Sequence, residues 1–127
     1  MFTQRFTVAM ATDGSGAQTT YTSDVVNGRV MSVRYVVDGT NPLATGGSVT
    51  VTGETTGLPI IAISAIGTTS TQFYPRAATC DTSAAASLYA AGGTAVTDKI
   101  TLAGERIKVV IASGGTSKVG TLYFTIG

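Results

Sequence analysis

In run after run, the side chains of this sequence follow a period of two. The clearest run covers 29–37, with Met31, Val33, Tyr35 and Val37 on one face and Val30, Ser32, Arg34 and Val36 on the other. A second covers 106–112, where Ile107, Val109 and Ile111 share a face and Lys108 and Val110 oppose them. A third covers 119–126. Period two turns successive side chains to opposite faces of an extended chain, so each run reads as a β-strand facing a core on one side. The mixed second face of 29–37 predicts a half-covered strand.

Weaker runs extend the pattern. Phe6, Val8 and Met10 oppose Thr7 and Ala9, residues 19–22 form a polar strand, 48–52 alternates, and 95–102 follows late in the chain. Residues 60–66 are nearly all apolar, which predicts a central strand covered on both faces. Thr and Gly, 23 and 16 residues, suit pleated surfaces and the turns between them. Turn signals stand at Asp13-Gly14-Ser15-Gly16, at Asn27-Gly28, across 38–47 and across 54–59. Ser113-Gly114-Gly115-Thr116-Ser117 is expected to join the last two strands as a hairpin. No βαβ pattern appears. The expected fold class is all-β: a single-domain antiparallel β-sandwich over 1–127, jelly-roll-like, with about eight strands.

One stretch stands apart. Residues 67–93 are long for a connection in a compact domain, and such excursions are commonly functional. Within it, Ser83-Ala84-Ala85-Ala86-Ser87-Leu88-Tyr89-Ala90-Ala91 follows possible N-caps at Asp81, Thr82 and Ser83 and ends at Gly92-Gly93. A short helix and an irregular loop both fit, because so short a helix holds only if it is docked.

Composition narrows function. The chain has 127 residues, and mass scaling gives a folded surface of roughly 6,300 Å². Charged residues are only 12% of the chain and the net charge is +1. That balance argues against disorder, against nucleic-acid binding driven by phosphate neutralisation, and against a polybasic membrane anchor. The first residues lack a signal-peptide pattern and no apolar stretch approaches the ~20 residues of a spanning helix, so a soluble protein made in the cytoplasm is expected.

There is no His, which removes the commonest general base and metal ligand together. A Ser–Lys mechanism would need Lys99, Lys108 or Lys118. Lys99 directly follows Asp98, and neighbours on a strand point apart. Glu54 and Glu105 sit in turn regions rather than across a cleft. Asp13-Gly14-Ser15-Gly16 and Asp38-Gly39-Thr40-Asn41 lack the later carboxylates of a calcium loop and read as tight turns. The lone Cys80 has no His beside it and reads as a small core or loop residue. No catalytic residue, cofactor or metal is expected.

Phe73-Tyr74-Pro75-Arg76 concentrates aromatic and Arg residues, the types enriched at interface hot spots. Either these residues meet a partner, or Phe73 plugs the sandwich while Tyr74 and Arg76 cap its edge. Residues 1–5, with Phe2 and Arg5, form either a contact arm or the start of a strand. Many strands with little charge leave edges poorly protected, which favours a homo-oligomer, dimer or trimer, or a larger assembly.

Four strings carry a resemblance. They are Gly28-Arg29-Val30-Met31-Ser32-Val33-Arg34-Tyr35, Ser87-Leu88-Tyr89-Ala90-Ala91-Gly92-Gly93-Thr94-Ala95-Val96, Arg106-Ile107-Lys108-Val109-Val110-Ile111-Ala112-Ser113-Gly114-Gly115 and Gly120-Thr121-Leu122-Tyr123-Phe124-Thr125-Ile126-Gly127. In order, from Arg29 onward, they are similar to a family of small structural proteins of tailed bacteriophages. The resemblance implies a head decoration (cement) protein on the capsid surface of the virion, bound to the major capsid protein, with no catalytic motif. The expected contacts are Phe2 and Arg5 of the arm, Phe73, Tyr74, Arg76, Leu88 and Tyr89 of the excursion, and Leu43 as an exposed loop residue. Alternatives are a head–tail connector or tail component, and a glycan-binding sandwich.

Overall fold

The computed structural model describes residues 3–127. Among the described residues, eleven strands follow one another: β1 Gln4–Ala11, β2 Gln18–Tyr21, β3 Val26–Val37, β4 Ser48–Gly53, β5 Pro59–Ile63, β6 Thr71–Phe73, β7 Ala77–Ala78, β8 Thr97–Asp98, β9 Ile100–Glu105, β10 Ile107–Ala112 and β11 Val119–Ile126. They pair antiparallel throughout.

Sheet A runs β1-β11-β3, and the far side of β3 is shared end to end by β9 and β6. Sheet B runs β2-β10-β4-β5. With the short β6, β7 and β8 set aside, eight strands remain. In chain order they lie first-eighth-third-sixth in sheet A and second-seventh-fourth-fifth in sheet B. That is the jelly-roll order, two sheets wound together by one folded-over ribbon.

The core lies between the sheets. Val8, Met10, Val33, Tyr35, Leu122 and Phe124 from sheet A meet Val49, Val51, Ile107, Val109 and Ile111 from sheet B, all at most 2% exposed. The alternation of 106–112 and 119–126 carries straight into this arrangement. Tyr35 is fully buried, yet its hydroxyl donates to the Gly67 carbonyl at 3.2 Å, so no polar atom is stranded.

Several expectations need correction. Asn27-Gly28 is not a turn but lies inside β3 at an irregularity opposite β9. Asn27 Oδ1 accepts from the Gly104 amide at 2.7 Å, and Gly28 has φ +127, with Ile126 Cγ2 2.9 Å from where a Cβ would stand. A second irregularity pairs Thr125 with Ser32 but Ile126 with Val30, so Val30 and Val33 both point inward. One inserted residue flips the face of everything beyond it. Residues 60–66 do not form a central strand, because β5 has a single neighbour, β4, and stands at the edge of sheet B. Its apolar run fits a groove instead, where Ile61 and Ala62 stand near Thr71 and Phe73. The final two strands are not a hairpin either. β10 and β11 belong to different sheets, and Ser113 (φ 55) and Gly115 (φ 86) turn the chain across the end of the sandwich.

Leu43 is the clearest reversal. Expected at the surface, it is fully buried in the core. The loop around it is stitched down: Val119 N donates to Asn41 O at 2.8 Å, Ala44 N to Gly114 O at 2.9 Å, and Pro42 bridges Val119. Leu43 therefore closes one end of the sandwich.

Carboxylates brace the turns. Glu105, 5% exposed, accepts from the amides of Thr55 and Thr56 at 3.0 and 3.1 Å and from the Thr56 hydroxyl at 2.9 Å. The Thr56 amide, first among these donors, holds its pKa below the ordinary 4.5. Ser15 lowers Asp13 and the Asn41 amide lowers Asp38 in the same way. A lowered folded-state pKa favours folding above the ordinary carboxylate range, and that contribution disappears as pH falls through the folded value. The urea midpoint is therefore expected to be flat above about pH 5 and to fall steadily below about pH 4.5, with a shallower fall in Glu105→Gln. A midpoint unchanged in acid would contradict this.

Candidate partner interface

The excursion of residues 67–99 holds the short strands β6, β7 and β8 joined by turns and isolated bridges, without a helix. β6 adds Phe73 to sheet A, where it is half-buried against the core. Pro75 is buried, and the chain then leaves the sandwich. β7 and β8 pair as its base, and beyond them three segments converge. Thr79 N donates to Val96 O (2.8 Å), Val96 N to Ser87 O (2.9 Å) and Ser87 N to Thr79 O (3.0 Å). This closed ring of three bonds fixes the root of two tips, one spanning 81–85 and the other 89–94.

The first tip shows where the N-cap signal went. Asp81 Oδ1 accepts from the amides of Ser83 (2.8 Å) and Ala85 (3.0 Å), while Asp81 N donates to Ala85 O. Asp13 does the same with Ser15 and Ala17. The two loops, Asp13-Gly14-Ser15-Gly16-Ala17 and Asp81-Thr82-Ser83-Ala84-Ala85, share one fold, each with its fourth residue at positive φ. An Asp that can cap a helix here closes a tight hairpin instead. Gly16 takes its φ of 79 freely, but Ala84 carries a Cβ at φ 63. Ala84→Gly is expected to raise stability by about 0.5–1 kcal/mol, read from the urea midpoint, whereas Gly16→Ala lowers it. A destabilised Ala84→Gly would contradict the loop geometry.

No residue from 76 to 98 is buried. None from 82 to 97 is charged. Tyr74 is 63% exposed, Leu88 41% and Tyr89 75%, and Arg76 is exposed with its guanidinium donating to Pro75 O at 2.9 Å. The surface reflects this projection: 6974 Å², about a tenth above the mass-scaled value. Cys80 is a free, exposed thiol on the first segment.

Of the residues singled out from sequence, Arg76, Leu88 and Tyr89 lie on this projection, and Phe73 and Tyr74 lie at its root. Arg5 is elsewhere, on β1, and Phe2 lies outside the described residues.

The outer face of sheet A holds a constellation that sequence reading missed. The pairing registers align Thr7, Tyr123, Arg34 and Gln72 in one row across β1, β11, β3 and β6, with Arg5, Thr125 and Ser32 in the next. The Arg5 guanidinium carbon stands 5.4 Å from the centre of the Tyr123 ring. Together these residues line a shallow concavity. Alternation within 29–37 and 119–126 places Arg34 and Tyr123 outward, but only the register shows that they are neighbours.

No protein-family model and no curated protein matches the chain. Among solved structures, it is similar to one described as "Crystal Structure of FLHE". The TM-score is 0.44 at 11% identity over 98% of this chain and 96% of that one, a likeness too slight to carry function across.

Proposed function

We propose that this chain is a virion structural protein that decorates and stabilises the outer shell of a phage capsid. The observation that carries this reading is the projection over residues 76–98, which is held by backbone hydrogen bonds, uncharged along most of its length and without a core of its own. Water-exposed backbone bonds contribute little net stability, so such a segment is the easiest part of the fold to open. Covering it with a partner supplies the apolar burial it lacks. Leu88, Tyr89 and Tyr74 are the side chains such a partner would bury. The resemblance to small phage structural proteins includes this projection, and the jelly roll is a frequent capsid architecture, which is support by analogy alone.

Binding to many equivalent positions on a symmetric shell supplies avidity without a deep pocket. Purified protein is expected to co-sediment saturably with heads of the encoding phage stripped of it, at on the order of hundreds of copies per particle. About a dozen copies would instead indicate a connector position. No co-sedimentation would overturn the reading.

A further inference from the structure

We infer that the outer face of sheet A holds a binding site for a carboxylate, presented by an acidic side chain on a partner protein. This rests on the proposed association and deepens it by naming what the partner's surface must offer.

The molecule contains a completed version of the same arrangement. At one end of sheet B, the Arg106 guanidinium lies 4.6 Å above the centre of the Tyr21 ring. Glu54 forks it, accepting from Nε at 2.7 Å and from the second guanidinium nitrogen at 2.6 Å. Sheet A repeats the first half: Arg5 stands over Tyr123, and Arg34 sits beside the same tyrosine in the adjacent strand. No carboxylate lines this concavity. Asp13, Asp38, Asp81 and Asp98 accept from nearby backbone amides, Glu54 and Glu105 are engaged as described, and Asp24, exposed in the turn between β2 and β3, does not line the concavity. The Arg106–Glu54 ion pair is the only one among the described residues, so the arginines of sheet A have no such partner there.

Two like charges beside one ring repel, and a bound carboxylate relieves that repulsion while accepting from both guanidinium groups. Ser32, 8% exposed, also lines the concavity, and among the described residues its hydroxyl makes no hydrogen bond. Thr125 and Gln72 also line it, adding a hydroxyl and an amide to the two guanidinium groups. It is shallow, which suits a group carried on an opposing surface rather than an enclosed small molecule. Gln72 also stands two residues before Tyr74, so the concavity adjoins the root of the projection.

The test is a titration of the full chain, followed by amide and arginine side-chain NMR, with a capped peptide carrying two glutamates. Sodium chloride at equal ionic strength, inorganic phosphate and trigalacturonate are run beside it. Saturable shifts are expected at Arg5, Arg34, Gln72 and Tyr123, with at least tenfold weaker binding in Arg34→Gln and unchanged binding in Lys108→Gln, which removes an equal charge from sheet B. The wild-type shift map stands alone should Arg34→Gln fail to fold. Shifts no greater than those from chloride, or equal loss in both variants, would overturn the inference. Tighter binding of phosphate or trigalacturonate would overturn its assignment to a protein carboxylate. Co-sedimentation with heads but no peptide binding would sink this inference alone, leaving the shell-binding reading intact.

Discussion

Replacing Leu88 and Tyr89 together by Asp is expected to leave the sandwich folded and to abolish the proposed association with capsid shells. Both side chains are exposed, at 41% and 75%, and neither belongs to the core. Exposed substitutions of this kind change stability by within about 0.5 kcal/mol, so circular dichroism and the urea midpoint should match the parent. Association is a different matter. A buried aromatic or aliphatic anchor contributes about 2 kcal/mol or more, a roughly thirty-fold loss for each one removed, and a buried unpaired carboxylate adds to that. Co-sedimentation should fall below detection. Retained binding would move the interface off this tip, and a loss of folding would show that the tip supports the sandwich in a way its exposure hides.

The second large effect lies in the core. Phe124 sits on β11, the strand in sheet A flanked by β1 and β3, paired with Phe6 on one side and Val33 on the other. It is fully buried. Phe124→Ala removes its ring from a packed interior and leaves a cavity that neighbouring strands cannot collapse, at a cost of about 3–5 kcal/mol. Against a domain stability of about 5–15 kcal/mol, that is a large share, and a melting temperature lower by roughly 10–20 °C is expected. Phe6→Ala, at a half-buried position, should cost clearly less. Equal losses would mean that Phe124 does not occupy the centre of the sandwich.

Alternation makes the fold class legible, because period two and inward-facing Val, Ile and Phe are set by the same pleat. It places Phe6, Val8 and Met10 together, and Ile107, Val109 and Ile111. It cannot place 60–66, since an edge strand beside a groove and a buried central strand both read as apolar. Nor can it reveal the inserted residue near Met31, because a bulge is a property of two strands and leaves no mark in one. The Asn27-Gly28 pair misleads for a related reason: glycine's positive φ serves a bulge as readily as a turn. Asp81 carries a real capping signal, but its carboxylate satisfies amides two and four residues on in a hairpin as well, and the surrounding chain decides between the two. Leu43 escapes because loop composition says nothing of which residue folds back over the core. The projection is legible as an uncharged excursion with its aromatics. The pairing of Arg5, Tyr123 and Arg34 is not, because it depends on register across three strands distant in sequence.

The proposed role rests on adhesion to a shell, and reconstruction of the intact virion by electron microscopy tests it most directly. Density matching the jelly roll on the outer capsid surface, with the 81–85 and 89–94 tips against the major capsid protein, is the predicted result. Density for the chain only within the tail, or no copy of it in the particle, would contradict it.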